Sequence, residues 1–205
     1  RDFSKGIEMT LGVPILKSVI FDRDYRGPEE VRYLTKELKK SCEFVAIHQR
    51  KEIENFLLQP SVLDKAITTA LAKKVSDKKV KNIEIRPSKD ILNELAESIR
   101  EEVLSRYLAC RRLFVKKQSP GIADTTIDIV SLKEFSNEWL TLDGKMRLVP
   151  GKDMISKFNQ FLQNSYGVSL TAHGIINSFE HKDFGVELTE LISNIAEFSH
   201  MKPPS

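Results

Sequence analysis

Two carboxylates separated by one residue, Asp22 and Asp24, directly follow a mostly apolar run that ends at Phe21. In a strand, residues two apart point to the same side, so both carboxylates can face one point beyond a strand at about 15–21. Open α/β sheets bind their ligands at this edge. Paired hard oxygen donors suit Mg²⁺ or Mn²⁺ better than zinc or copper. The sequence therefore predicts a Mg²⁺ or Mn²⁺ site at this acidic tip, residues 22–24.

The residues after the acidic tip predict a βαβ unit that would position it. Pro28 suits the first turn of a helix, and Glu29 and Glu30 follow where the helix dipole favours acids. A second apolar run at 43–47 predicts the next strand. A strand, a helix and a strand in this order imply a parallel sheet with a right-handed crossover.

The rest of the chain has mainly helical periodicity. Spacings of three and four between apolar residues predict helices over 51–58, 60–71, 89–116, 132–139, 152–164, 170–179 and 186–198. Polar or Gly- and Pro-containing stretches predict a connector at 73–90, a loop at 117–130 and turns at both ends of 142–152, and they predict at 1–14 either a loop or the remains of a truncated element. On a helix over 51–58, Glu52 and Glu54 would diverge by about 200° and could not face one site.

Composition excludes few classes of protein. The chain has 205 residues, 40% of them hydrophobic and 30% charged, which is typical of a globular protein. No apolar run approaches the ~20 residues of a membrane span, so we expect no membrane partner. Cys42 and Cys110 lack metal-ligand spacing, and two cysteines in this length favour a reducing, cytoplasmic setting. Because the chain starts with Arg, we expect a fragment of a longer protein.

Several chemistries use an Asp-x-Asp tip after a strand. Either Asp could also be no more than a helix cap or turn former. A haloacid-dehalogenase-type phosphatase has Thr or Val two residues after the second Asp, where this chain has Arg26. A nucleotide-sugar glycosyltransferase holds a metal with such a pair, but little else here supports that fold. The third candidate is a TOPRIM domain, a compact α/β metal site.

Three segments in order carry a resemblance to a known family: residues 19–26 (VIFDRDYR), 49–58 (QRKEIENFLL) and 148–152 (LVPGK). Together they resemble the C-terminal TOPRIM region of OLD-family ATP-dependent nucleases and related ABC-type ATPases of phage defence. Phe56 stands where Tyr is usual in that group. The resemblance implies a TOPRIM-like α/β core at 1–59, a helical insertion at 60–138, and a part at 139–205 with the PGK element and closing helices.

The resemblance also implies a function, which is metal-dependent cleavage of DNA phosphodiesters. Asp22 and Asp24 would be ligands of Mg²⁺ or Mn²⁺, with Glu54 as a further acidic ligand. Lys152 would be the cationic partner, with Lys145 as the alternative. Glu54 could equally be a helix-surface contact, and Lys152 an ordinary lysine at a helix start. Expected partners are DNA, an upstream ABC-type ATPase domain, a second copy of the chain and an effector protein.

One departure from the family pattern leaves an alternative open. TOPRIM sites usually begin with a Glu that follows an earlier strand, and this chain has only Glu8 upstream. The site could therefore be degenerate, which would make the chain a non-catalytic scaffold or coupling module; a metal-dependent phosphatase is the third possibility. The chain contains no P-loop, since Asp153 follows Gly151 and Lys152 where Ser or Thr is needed. His48 could contact a metal or phosphate, but a hydrogen-bonded or solvent-facing role is the more ordinary one.

Overall fold

A computed structural model describes residues 2–77 and 84–202, and these residues are mostly helical. The two strands are β1 (Ser18–Phe21) and β2 (Phe44–Ile47). The α-helices are α1 (Asp2–Leu11), α2 (Pro28–Leu38), α3 (Pro60–Asp77), α4 (Ser88–Ser98), α5 (Arg100–Gln118), α6 (Asp124–Trp139), α7 (Leu142–Leu148), α8 (Gly151–Tyr166), α9 (Ala172–Ile176) and α10 (Val186–Ser199). Short 3₁₀ helices occupy Ile53–Leu57 and His181–Asp183.

The predicted βαβ unit is confirmed. β1 and β2 pair in parallel, with Ser18 opposite Phe44 and Phe21 opposite Ile47. α2 connects them and begins at Pro28, whose missing N–H and fixed φ suit that position. The described part of the chain is thus broadly α/β, with a two-stranded sheet beside a larger helical body.

The hydrophobic core lies among the helices and not on the sheet. One cluster of buried apolar side chains draws on residues from 1–59, 60–138 and 139–205. Near its centre Phe135 stacks on Trp139 at 4.9 Å between ring centroids, and Tyr107 packs on the other side of Phe135. The cluster therefore joins α5, α6 and the later helices into one body that backs the βαβ unit.

Two predicted loops are wrong, because helices occupy them. Residues 1–14 contain α1, so the loop is wrong as one of the two expectations for this segment. In 117–130, α6 begins at Asp124, whose charge favours the first helical turn. The helix forms because Ile127 packs inside and Phe135 is fully buried further along it, and such packing outweighs weak local propensity.

The single helix predicted over 89–116 is also wrong. α4 and α5 are separate helices with a break at Ile99, whose φ of −115° and ψ of 8° lie outside the helical region. The Ser98 hydroxyl donates to the Leu95 carbonyl oxygen at 2.7 Å, a local contact that competes with helix continuation. Burial of Ile99 at the corner lets both helices turn their apolar faces to the core.

Three further boundaries differ from the predictions. The helix predicted over 51–58 is the 3₁₀ helix Ile53–Leu57. α3 runs to Asp77, into the predicted connector 73–90, part of which (78–83) lies outside the described residues. α7 forms within 142–152 because the Thr141 hydroxyl caps it by accepting from the Gly144 N–H at 3.0 Å. Within the described ranges, no helix has the length and apolarity to cross a membrane.

Candidate functional site

The acidic tip lies at the carboxyl ends of the two strands, where backbone hydrogen bonds hold the strand-end loops together. The Arg23 N–H donates to the Arg50 carbonyl oxygen at 3.2 Å, and the Asp24 N–H donates to that of Lys51 at 3.0 Å. Asp24 has a left-handed φ of 50°, which Asp tolerates better than most non-glycine residues. The backbone of the tip is therefore fixed by the segment that follows β2.

Asp22 and Asp24 line one cleft of about 560 Å³, which we call the acidic cleft. Its remaining lining residues are Ile20, Phe21, Arg26, His48 and Ile53. The structure therefore brings the two aspartates predicted as metal ligands to the same cleft, although both lie beyond the end of β1 and Asp24 has a left-handed backbone and not that of a strand.

The Asp22 carboxylate is held by two hydrogen bonds on one oxygen. Its Oδ1 lies 3.0 Å from His48 Nε2 and accepts from the Ile53 N–H at 2.9 Å. The His48 side chain is only 1% exposed and packs edge-on against Phe56, with 5.5 Å between ring centroids. His48 is therefore a hydrogen-bonded positioning residue for Asp22, and its Nδ1 is buried without a hydrogen-bond partner among the described residues.

The Asp24 carboxylate is held by Arg26. Asp24 Oδ2 lies 2.7 Å from Arg26 Nη1, which also donates to the Asp22 carbonyl oxygen at 2.9 Å. On its other side Arg26 Nε is 3.7 Å from Glu30 Oε1. Burial of Glu30 raises the pKa of its carboxyl above the ordinary value, although the charge of Arg26 opposes this effect. Arg26 thus places a cation directly at the acidic tip.

Glu54 and Lys152 form an ion pair with each other. Lys152 Nζ is 3.5 Å from Glu54 Oε1, and the Lys152 side chain is 72% exposed. The other carboxylate oxygen, Glu54 Oε2, is buried and has no hydrogen-bond partner among the described residues. In the described part of the chain, neither residue lines the acidic cleft itself. Glu54 is, however, bonded next to Ile53, whose N–H holds Asp22.

The helical pattern over 51–58 predicted that Glu52 and Glu54 could not face one site, and this prediction is wrong. Glu52 is the extended N-cap of the 3₁₀ helix, and both carboxylates contact Lys152. Glu52 Oε2 accepts from the Lys152 N–H at 3.1 Å, and Oε1 pairs with Lys51 Nζ. Burial would raise the Glu52 pKa, but these hydrogen bonds and the two lysine charges outweigh it, so the pKa lies below its ordinary value.

Asn55 was missed by the sequence reasoning, and it joins two of the motif segments. Its fully buried side chain donates from Nδ2 to the carbonyl oxygens of Met146 at 2.7 Å and Val149 at 2.8 Å. Its Oδ1 accepts from the Glu52 N–H at 2.9 Å, which closes a capping box. The only sequence signal is the Glu-x-x-Asn spacing, which resembles a capping box. The EIEN and PGK segments therefore form one hydrogen-bonded unit.

Lys145, the alternative cation, has a different position. Its Nζ is 2.6 Å from Glu97 Oε1 and 2.6 Å from Asn93 Oδ1. Lys145 is buried, so it ties α7 to α4. Lys152 therefore pairs with Glu54, whereas Lys145 pairs with Glu97 on α4.

The other upstream and helical acids have structural partners. Glu29, in the first turn of α2, pairs with the buried Arg111 at 2.5 Å. Burial of Glu29 opposes ionisation, but hydrogen bonds from the backbone and Arg111 hold its pKa below the ordinary value. Glu8 lies on α1 and pairs with Lys17 at 2.9 Å, so it does not follow a strand among the described residues.

The donor set of the acidic cleft determines which metal it could hold. Among the described residues, no group of three or more His, Cys, Asp and Glu side chains has the geometry of a metal site. Asp22 Oδ1 and Asp24 Oδ2 take part in hydrogen bonds. The second oxygen of each carboxylate has no hydrogen bond to another described residue. Mg²⁺ is often held by one or two carboxylates and several waters. The two aspartates therefore fit a hydrated Mg²⁺ or Mn²⁺. Arg26 would compete with this cation for Asp24.

Comparison with protein-family models, with curated proteins and with solved structures found no match to this chain.

Proposed function

We propose that this chain is a nuclease-type module of the TOPRIM class that cleaves DNA phosphodiesters with Mg²⁺ or Mn²⁺. The observation that carries the proposal is the acidic cleft, in which Asp22 and Asp24 lie together at the carboxyl ends of two parallel strands. Each of these carboxylates has one oxygen that no recorded hydrogen bond occupies. Asp22 and Asp24 would hold the cation.

Each residue of the site has a distinct task under this proposal. A bound divalent cation would offset negative charge on the phosphate and lower the pKa of an attacking water. His48 and the Ile53 N–H hold Asp22 Oδ1, which would orient the carboxylate and leave its second oxygen for the cation. Arg26 presents a guanidinium that can hydrogen-bond phosphate oxygens. The ammonium of Lys152, which pairs with Glu54 at 3.5 Å on an otherwise exposed side chain, would stabilise the leaving oxygen.

The link between the motif segments supports the TOPRIM assignment. The resemblance rests on an ordered set of segments, and Asn55 hydrogen-bonds two of them directly to each other. Lys51 adds a third connection, because its N–H donates to the Arg147 carbonyl oxygen at 2.8 Å. Segments that form one site have to lie next to each other in the fold, and residues 49–58 and 148–152 do so. We further propose that the module acts on DNA in the cytoplasm beside an ABC-type ATPase domain, as a homo-oligomer that can engage an effector protein.

One observation favours a second candidate, a non-catalytic TOPRIM-like module that couples such an ATPase to a partner. Arg26 neutralises Asp24 at 2.7 Å, as a metal would. In the described part of the chain, no third ligand joins the aspartates. In this alternative the Arg26–Asp24 ion pair stabilises the tip, and the acidic cleft binds no cation.

The test is nicking of supercoiled plasmid by the full-length protein in Mg²⁺ or Mn²⁺. We expect Asp22→Asn and Asp24→Asn to lower the rate by about 100-fold or more. Asp128→Asn, a change on α6 that lies outside the acidic cleft, is the matched control and should keep the rate. Metal-dependent nicking that survives both tip variants overturns the proposal. Absence of nicking together with absence of Mn²⁺ binding supports the non-catalytic module.

A further inference from the structure

A second cleft opens beside the acidic cleft, between α2 and α5. Its volume of about 650 Å³ is within the roughly 300–1,000 Å³ typical of ligand pockets. We call it the aromatic cleft, and its apolar wall consists of Tyr33, Leu34, Ala109, Leu113 and Phe114. Tyr33 is 49% exposed and Leu113 75% exposed, so this wall faces solvent. Contiguous exposed aromatic and aliphatic side chains around a cavity are typical of a binding site.

The aromatic cleft and the acidic cleft share two lining residues. Asp24 and Arg26 line both. A ligand in the aromatic cleft would therefore lie next to a phosphate held at the acidic tip, with Arg26 between them. The occupant should accordingly be a group attached to that phosphate.

Charges around the aromatic cleft favour a polyanion. Its cationic lining residues are Arg26, Lys51, Arg106 and Lys117, whereas its acidic ones are Asp24 and Glu30. Arg106 and Lys117 are exposed and lie along α5 at the rim. Two exposed cations, of which Arg106 also pairs with Glu102, lie beside an apolar wall, and this arrangement suits the backbone of a nucleic acid whose base is turned inward.

One buried polar atom points to a ligand with a polar edge. Tyr25 lines the aromatic cleft and is 5% exposed, and its hydroxyl is buried without a hydrogen-bond partner among the described residues. An unsatisfied buried hydroxyl is unfavourable. A nucleobase combines flat faces that can stack with an edge of donors and acceptors that can satisfy such a group.

We propose that the aromatic cleft receives an unpaired base of the DNA strand whose phosphate lies at the acidic tip. This inference rests on the proposed nuclease function and names its substrate as single-stranded or flared DNA. Bases within a duplex are stacked on each other and cannot enter, so the cleft selects strands with a free base. Stacking on Tyr33 and Phe114 tolerates any base, so we expect little sequence preference.

The first test measures binding by the full-length protein in EDTA, where no metal-dependent cleavage occurs. A single-stranded oligonucleotide with one 2-aminopurine reports stacking by loss of its fluorescence. We expect quenching on binding, and Tyr33→Ala and Phe114→Ala should each weaken affinity by about tenfold. Val130→Ala, which removes an exposed apolar side chain on α6, is the matched control and should bind as the parent does.

The second test blocks the aromatic cleft at Cys110, which lines it and is exposed. In a Cys42→Ser background, a bulky maleimide on Cys110 should abolish quenching and single-strand binding. The same treatment of the variant with both Cys42→Ser and Cys110→Ser should have no effect, which controls for the reagent.

The outcomes separate this inference from the proposed function. Unchanged single-strand binding after blocking of Cys110, or an equal loss of duplex binding, overturns the base-binding cleft. Quenching that depends on the aromatic cleft, in a protein that never cleaves DNA, supports the cleft and rejects the nuclease. Cleavage that requires Asp22 but is indifferent to Tyr33 and Phe114 supports the nuclease and rejects the cleft.

Discussion

Gly151 lies against Asn55 so closely that a Cβ at position 151 would be 2.6 Å from Asn55 Oδ1. The same Cβ would be 2.9 Å from the Asn55 backbone nitrogen, which cannot move away easily. The start of α8 and the 3₁₀ helix Ile53–Leu57 are thus in direct contact at a position that only glycine allows. Lys152 follows Gly151 and Glu54 precedes Asn55, so the close approach of Gly151 to Asn55 sets where Lys152 and Glu54 meet.

We therefore expect Gly151→Ala to lower the free energy of unfolding by about 2 kcal/mol, the usual cost of overpacking a buried contact. Gly121→Ala is the matched control, because a Cβ there meets no atom within 4 Å among the described residues. Its effect should stay below about 0.5 kcal/mol. Denaturant unfolding of both variants measures this difference. Equal stabilities would show that the contact between Gly151 and Asn55 is not tight.

His48→Gln should weaken Mn²⁺ binding by about tenfold, because residues that orient metal ligands typically contribute this much. The variant loses the bond from His48 Nε2 to Asp22 Oδ1 while the Ile53 N–H keeps its own. His173→Gln replaces an exposed histidine on α9 and serves as the control. Titration with Mn²⁺ followed by water proton relaxation gives both affinities. Identical affinities would contradict the positioning role of His48.

Lys152→Met and Lys145→Met should separate activity from stability. Lys152 is exposed, so its ion pair with Glu54 contributes little to folding, about 0.5 kcal/mol or less. Nicking should nevertheless fall at least about tenfold if its ammonium stabilises the leaving oxygen.

Lys145 is buried beside Glu97 and Asn93, so Lys145→Met should cost about 1–2 kcal/mol of stability. At temperatures where this variant stays folded, its nicking rate should match that of the parent. If Lys145→Met abolished nicking and Lys152→Met did not, Lys145 and not Lys152 would be the cation that acts on the leaving oxygen.

Glu52→Gln should make the protein less sensitive to acid. The folded-state pKa of Glu52 lies below its ordinary value of 4.5, so the ionised form stabilises the fold. That contribution is present above the ordinary value and disappears as pH falls through the lower folded-state pKa.

The difference in unfolding free energy between the parent and Glu52→Gln should therefore be on the order of 1 kcal/mol at pH 7 and shrink below pH 4.5. Denaturant unfolding across this range measures it, with Glu190→Gln, an exposed change on α10, as the control. A difference that grows towards low pH would contradict the assigned direction of the shift.

Local rules were sufficient for the parts of the site that are close in sequence. The order of strand, helix and strand predicted the parallel pair, and the position of Asp22 and Asp24 directly after β1 was enough to predict that both line one cleft, although the left-handed Asp24 does not follow the two-residue period of a strand. The helical period also located most of the later helices, with errors at their ends. Ile99 is an exception, because the break there depends on how α4 and α5 pack and on the local hydrogen bond from the Ser98 hydroxyl, and neither is marked by Gly or Pro.

Residues whose role depends on distant partners could not be found in this way. Asn55 is a polar residue in a helical pattern, and only the carbonyl groups of Met146 and Val149 explain its burial. Glu52 was set aside by a rule for α-helices that does not hold at the N-cap of a 3₁₀ helix. Lys145 and Lys152 have similar local sequences, and their partners Glu97 and Glu54 distinguish them.

Arg26 has a consequence for energetics, because it pairs with Asp24 and lines both clefts. A ligand that draws the Arg26 guanidinium away would expose the Asp24 carboxylate, so occupation of one cleft changes the affinity of the other. Thermodynamic linkage makes this coupling reciprocal: whatever factor a nucleotide applies to cation affinity, the cation applies to nucleotide affinity. A single side chain would thus make cation and DNA binding cooperative, and the cleft would hold a cation most tightly when a strand is present.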